Sequence, residues 1–102
     1  NDRLVLSCLV LAAEADGAHV LTVEGLAASG EFAHLQEAFI EHHGMQCGFC
    51  TAGFLMAAAA LLRENARPDA ATIRAALAGN LCRCTGYHGI LRAVQTASRM
   101  RR

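Results

Sequence analysis

Four of the five cysteines fall in two tight pairs, Cys47-Gly-Phe-Cys50 and Cys82-Arg-Cys84, with 31 residues between the pairs. For both pairs to serve one site, the insert must double back on itself, and its sequence has the means to do so. Thr51 to Asn65 places Phe54, Leu55, Ala58, Leu61 and Leu62 on one side of a helix, and Pro68 forbids continuation past Arg67. Asp69 then precedes Ala-Ala-Thr-Ile-Arg-Ala-Ala-Leu, so its carboxylate can accept from the free N–H groups of a new helix over about 70–78, which Gly79-Asn80 stops. The pattern predicts a helical hairpin. A last helix from His88 to Arg101 follows, striped by Ile90, Leu91, Val94 and Ala97, so each cysteine pair lies in a loop that leads into a helix.

Upstream, Leu35, Ala38, Phe39 and His42 share one helical face, which predicts a helix over roughly 32–43 that Gly44 ends in a left-handed cap. Before it, Leu4 to Leu11 is a β-favouring apolar run, Asp16-Gly17 a turn, and His19 to Val23 a second short strand closed by Gly25. Two strands alone bury too little to persist, so this opening piece is expected to need a partner sheet outside the sequence. The expected fold is therefore mainly α: a four-helix bundle over residues 29–102, preceded by a short β remnant over 1–28.

A length of 102 residues suits one core, and 54% apolar against 18% charged residues is incompatible with disorder. Nine Arg balance nine acids with no Lys, so no overall field favours nucleic acid, yet residues 1–45 carry −6 and 46–102 carry +6. The longest uncharged stretch, Met45 to Leu62, is interrupted by Gln46, two Cys, Thr51 and two Gly and is a poor membrane span. Nothing at the start reads as a secretion signal, so the cytoplasm is the expected compartment, with the periplasm as the other. An odd cysteine count with this spacing fits a disulfide framework badly.

Four thiolates brought together favour a metal centre, and a [2Fe–2S] cluster takes two soft ligands per iron, which each local pair could supply. Gly48 and Gly53 are small where backbone would approach inorganic sulfide. A redox disulfide expects a strand before its C-x-x-C, whereas a helix precedes Cys47. Zinc stays open as the alternative, giving a zinc-stabilised helical interaction module with no redox role, although Cys82-Arg83-Cys84 has one intervening residue where zinc pairs usually have two to four. Cys8, alone in its apolar run, reads as a buried free thiol. His42 reads as an interior or hydrogen-bonded side chain, His43 as surface, His88 as a helix-start residue, and Phe49, Phe54 and Met56 as core or interface packing. Neither a Ser-His-Asp pattern nor a phosphate-cradling glycine loop is present.

Gln46-Cys47-Gly48-Phe49-Cys50-Thr51-Ala52-Gly53 and Gly79-Asn80-Leu81-Cys82-Arg83-Cys84-Thr85-Gly86-Tyr87 closely resemble the proximal [2Fe–2S] domain of the molybdenum hydroxylases. This is the family of xanthine dehydrogenase, aldehyde oxidoreductase and carbon monoxide dehydrogenase, and the similarity continues through Ile73-Arg74, Ile90 and Ala93. The resemblance implies an electron-transfer subunit that relays electrons from a molybdopterin centre through [2Fe–2S] clusters towards FAD, with no substrate site of its own. It implies that Cys47, Cys50, Cys82 and Cys84 hold the proximal cluster, and that Gln46 and Cys84 lie against the pterin.

Val5 to Leu11 and Thr22 to Leu26 resemble the end of a plant-type ferredoxin domain. Cys8 then matches the fourth ligand of a second [2Fe–2S] cluster, whose other three ligands are absent from the sequence and are expected in a preceding stretch of the natural chain. Ala52 departs from the family, which commonly has Pro there. Because the sequence stops shortly after the last helix, the expected setting is a separate small subunit. Its expected partners are a molybdopterin-binding large subunit and an FAD-binding medium subunit, assembled as a dimer of heterotrimers. Aldehydes, purines, N-heteroaromatics and carbon monoxide are all compatible substrates of such an assembly.

Overall fold

Pro68 and Asp69 organise the chain as their chemistry predicts. In the computed structural model, which describes residues 1–100, helix α3 (Thr51–Glu64) ends just before them and α4 (Ala70–Leu77) begins just after. The Asp69 carboxylate accepts from the Thr72 N–H at 2.8 Å. The Thr72 side chain first, and then this N–H at a position with no helical partner, hold the carboxyl below its ordinary range.

Three further helices complete the order: α1 (Val23–Ser29), α2 (Ala33–Glu41) and α5 (His88–Met100). α2 packs most extensively on α5, α3 packs on α4 and on α1, and α4 also meets α5. The core lies between these faces, with Phe32, Leu35 and Phe39 meeting Phe54, Ala58 and Leu62 of α3 and Ile90, Val94 and Ala97 of α5. α3 contributes seven buried residues, the five on its apolar side as read from the sequence spacing plus Ala57 and Ala59. Arg63, near its C-terminal end, bonds Glu31 at 2.9 Å and lies 5.6 Å over the Phe32 ring, tying α3 to the start of α2.

Three expectations are corrected. The described residues hold five α-helices rather than four, because α1 begins at Val23, the last residue of the expected second strand, and runs through the Gly25 that was expected to close it. Leu26 of α1, 1% exposed, packs in the helical core, and the expected division at residues 28 and 29 falls inside this helix. Second, no strand occurs among the described residues, and the apolar run of 4–11 is extended chain with a 3₁₀ turn over Ser7–Leu9 and another over Ala12–Ala15. An isolated segment with β-favouring side chains has no neighbour to take its backbone groups, so propensity alone forms no ladder. Leu4, Leu6, Leu9 and Leu11 are exposed, and so is Cys8, which is not the buried thiol expected.

The third correction concerns the end of α2. The left-handed residue is His43, at φ 55°, rather than Gly44. The His43 N–H donates to the Ile40 carbonyl at 3.3 Å and the Gly44 N–H to the Phe39 carbonyl at 2.7 Å, which together form a Schellman cap. Gly44 has another use: a Cβ there would sit a tight 3.0 Å from the buried Phe39 ring.

Candidate metal centre

Two close approaches at glycines, one to backbone and one to a side chain, lie beside the cysteine loops. α5 presses its first turn onto the end of α2, where a Cβ on Gly89 would lie 2.7 Å from the His42 carbonyl oxygen and 2.8 Å from that of His43. α3 presses its first turn onto the other loop, where a Cβ on Gly53 would lie 2.9 Å from the Asn80 side-chain nitrogen. Gly53 is therefore small for Asn80, a packing reason that spacing did not disclose. Gly48 adopts φ +85°, a conformation that glycine takes without strain. Cys50 is the N-cap of α3, and the Cys82-Arg83-Cys84 loop leads into α5 as expected.

The second loop is organised around Cys82. The Tyr87 hydroxyl accepts from the Cys82 N–H at 2.9 Å, while the Thr85 hydroxyl donates to the Cys82 sulfur at 3.1 Å and accepts from the Tyr87 N–H at 3.2 Å. Gly86 and Tyr87 are both left-handed, at φ 70° each, which turns the Tyr87 ring back onto the buried Phe54 ring in an edge contact at 6.3 Å.

The cysteines of the two loops lie close enough to act on one another. Cys82 is held down to about 7 by the Thr85 hydroxyl first, with backbone N–H groups and Cys50 adding to it, whereas Cys50 is pushed up to about 11, chiefly by burial and then by Cys82. Burial at Cys50 thus outweighs its position at a helix N-terminus. Cys47 is lowered by the Phe49 N–H and then by Cys84, and Cys84 is raised by Cys47. The neighbours that act on one another most across the loops are thus Cys47 with Cys84 and Cys50 with Cys82. Among the described residues, no three His, Cys, Asp or Glu side chains gather as the ligands of a single metal ion.

Around the cysteines the surface is apolar. Phe49 is 96% exposed between two of them, and Met45, Leu81 and Tyr87 are exposed nearby. Phe49 is thus not a core residue, while Phe54 is fully buried and Met56 packs against the core. Leu81, Thr85 and Tyr87 were not singled out by sequence reasoning, and the only signal for them was their place in the second cysteine stretch. Gln46 is exposed and lines a cleft of about 380 Å³ with His42, His43, Thr85, His88 and Arg92. His42 also bonds Thr96 across to α5 at 2.9 Å, His43 is exposed, and His88 opens α5, as expected for all three. Cys8, in its 3₁₀ turn, is not among the cysteines that interact across the two loops.

Residues 22–95, from α1 into α5 and including both cysteine loops, match the family described as [2Fe-2S] binding domain. The chain belongs to that family. The family expected from the two cysteine stretches is therefore the one found. This [2Fe–2S] binding domain is 56% identical over 93 residues to the nicotine 6-hydroxylase small subunit of Paenarthrobacter nicotinovorans, covering 91% of the chain and 56% of that protein. It is 49% identical over 90 residues to the xanthine dehydrogenase iron-sulfur-binding subunit of Escherichia coli O157:H7, covering 86% of the chain and 57% of that protein. The chain thus spans little more than half the length of these relatives. Among solved structures, the aldehyde oxidoreductase from Desulfovibrio gigas aligns with a TM-score of 0.86 and 36% identity, over 97% of this chain and 11% of that one.

Proposed function

We propose that the chain is the iron–sulfur electron-transfer subunit of a molybdenum-containing hydroxylase or dehydrogenase and holds a [2Fe–2S] cluster on Cys47, Cys50, Cys82 and Cys84. The observation that carries the reading is that residues 22–95, which match the [2Fe-2S] binding domain family, contain both cysteine loops, each leading into a helix. A dinuclear cluster needs two thiolates at each of two irons, and the donor set fits that need in number and softness. Zinc is not favoured, both because of the single-residue spacing at Cys82-Arg83-Cys84 and because of the family.

When bound, such a cluster supplies one-electron transfer, which no side chain of this chain offers. The protein's contribution is position. Cys82 and Cys50 root the site in the core, while Cys47, Cys84 and the apolar Met45, Phe49 and Leu81 face outward, where a partner surface would exclude water. Gln46 and Cys84, both exposed on that side, are the residues for contact with the molybdopterin of a large subunit, and an FAD-binding medium subunit would take the electrons onward. The names of the relatives, a small subunit of a hydroxylase and an iron–sulfur-binding subunit of a dehydrogenase, support an assembly of this kind, with a dimer of heterotrimers as its form. The exposed apolar segment of 4–11 fits the edge of a preceding ferredoxin-type module, to whose second [2Fe–2S] cluster Cys8 would be one ligand. No helix among the described residues is long and apolar enough to cross a membrane, and the cytoplasm is the compartment proposed.

Anaerobic purification tests the reading. Iron and acid-labile sulfide in equal amounts, with visible absorption that bleaches on dithionite, are expected. A colourless protein with stoichiometric zinc would overturn it in favour of the structural module.

A further inference from the structure

The Thr85 hydroxyl has one hydrogen, and its surroundings decide where that hydrogen points. The Tyr87 N–H donates to Thr85 Oγ1 at 3.2 Å, taking one of its two acceptor sites, and the hydroxyl donates to the Cys82 sulfur at 3.1 Å. Tyr87 is itself held at three points: its left-handed backbone, its ring against Phe54, and its hydroxyl on the Cys82 N–H. Cys82 is buried, whereas Cys47 and Cys84 are exposed, so water competes least for this hydrogen bond.

We infer that Thr85 is a positioning residue that raises the reduction potential of the cluster by aiming its hydroxyl hydrogen at the Cys82 sulfur. The inference rests on the [2Fe–2S] reading of the site. An electron added to a cluster increases the negative charge on its ligand sulfurs, and a hydrogen bond to one of them stabilises that more negative state. The loop of Gly86 and Tyr87 folds back on Thr85 and holds its oxygen beside the Cys82 sulfur, so the contact is built into the turn.

A redox titration of the intact holoprotein followed by electron paramagnetic resonance tests this, with dithionite giving one electron to each cluster. The signal followed is the one that Cys82→Ser abolishes, and the method reads loaded clusters only, so partial loading does not hide the result. Thr85→Val should make reduction about tenfold less favourable, a shift of about 59 mV to more negative potential for a one-electron couple. Thr85→Ser, which keeps the hydroxyl, should return the potential close to wild type. A Thr85→Val protein at the wild-type potential would overturn the inference, as would Thr85→Ser shifted as far as Thr85→Val. Thr85→Ala is the second variant. Loss of the cluster from both Val and Ala proteins would overturn it too, by assigning the hydroxyl to folding of the site. Wild-type protein without iron and sulfide would instead remove the cluster reading itself.

Discussion

Gly89 meets the backbone of His42 so closely that a Cβ on it would lie 2.7 Å from the His42 carbonyl oxygen. The contact fixes how far α5 can stand from the end of α2, and with it the separation of the two cysteine loops. Alanine in a helix gains up to about 1 kcal/mol over glycine. Against this, the neighbouring atoms are backbone and cannot swing aside, and overpacking of that kind costs about 1–3 kcal/mol. Gly89→Ala is therefore expected to be net destabilising by about 1–2 kcal/mol in urea unfolding and to lower iron incorporation. Unchanged stability together with full loading would show that the helices have room to separate.

Asp69 gives a pH dependence of known sign. Its carboxyl is lowered by the hydrogen bonds from Thr72, so its capping contribution is full above the unfolded carboxyl range and fades as pH falls through the lower folded value. Asp69→Ala should unfold at lower urea than wild type at pH 6, and the gap should narrow below about pH 4. A gap that is constant down to pH 2 would assign the loss to something other than the charged cap.

How far this fold is legible in the sequence depends on how local each cause is. The Pro68-Asp69 break and the apolar faces of α3 and α5 are written in adjacent residues, and the structure follows them. α1 is not, because Leu26 earns its place by contact with α3, and the best local sign was the left-handed stop at Gly30. The Leu-Val-Leu run promised strands, but strands also need a neighbour. His43 rather than Gly44 takes the left-handed position, and Gly44 instead leaves room for the Phe39 ring, a contact that residue types alone do not reveal. At the site, the cysteines were legible from spacing alone. The roles of Thr85 and Tyr87 depend on the reversed backbone at Gly86 and Tyr87, which residue types do not reveal, and the cross-loop pairing depends on how the two helix starts meet.

Gln46 separates contact with a pterin from ligation of the cluster. It is exposed beside Cys47 and has no part in the sulfur contacts, so Gln46→Ala should leave the iron content and the reduced-cluster signal unchanged. In the assembled enzyme, turnover should fall, by about tenfold if one hydrogen bond of about 1.4 kcal/mol to the pterin is lost. Full turnover with normal pterin retention would exclude Gln46 from that contact.

The most direct test of the account is electron paramagnetic resonance of the dithionite-reduced holoprotein across single Cys→Ser variants. Cys47→Ser, Cys50→Ser, Cys82→Ser and Cys84→Ser should each abolish or alter one and the same cluster signal, while Cys8→Ser leaves that signal unchanged. A signal that survives unaltered in any of the four loop variants would contradict the placement of one [2Fe–2S] cluster across the two loops.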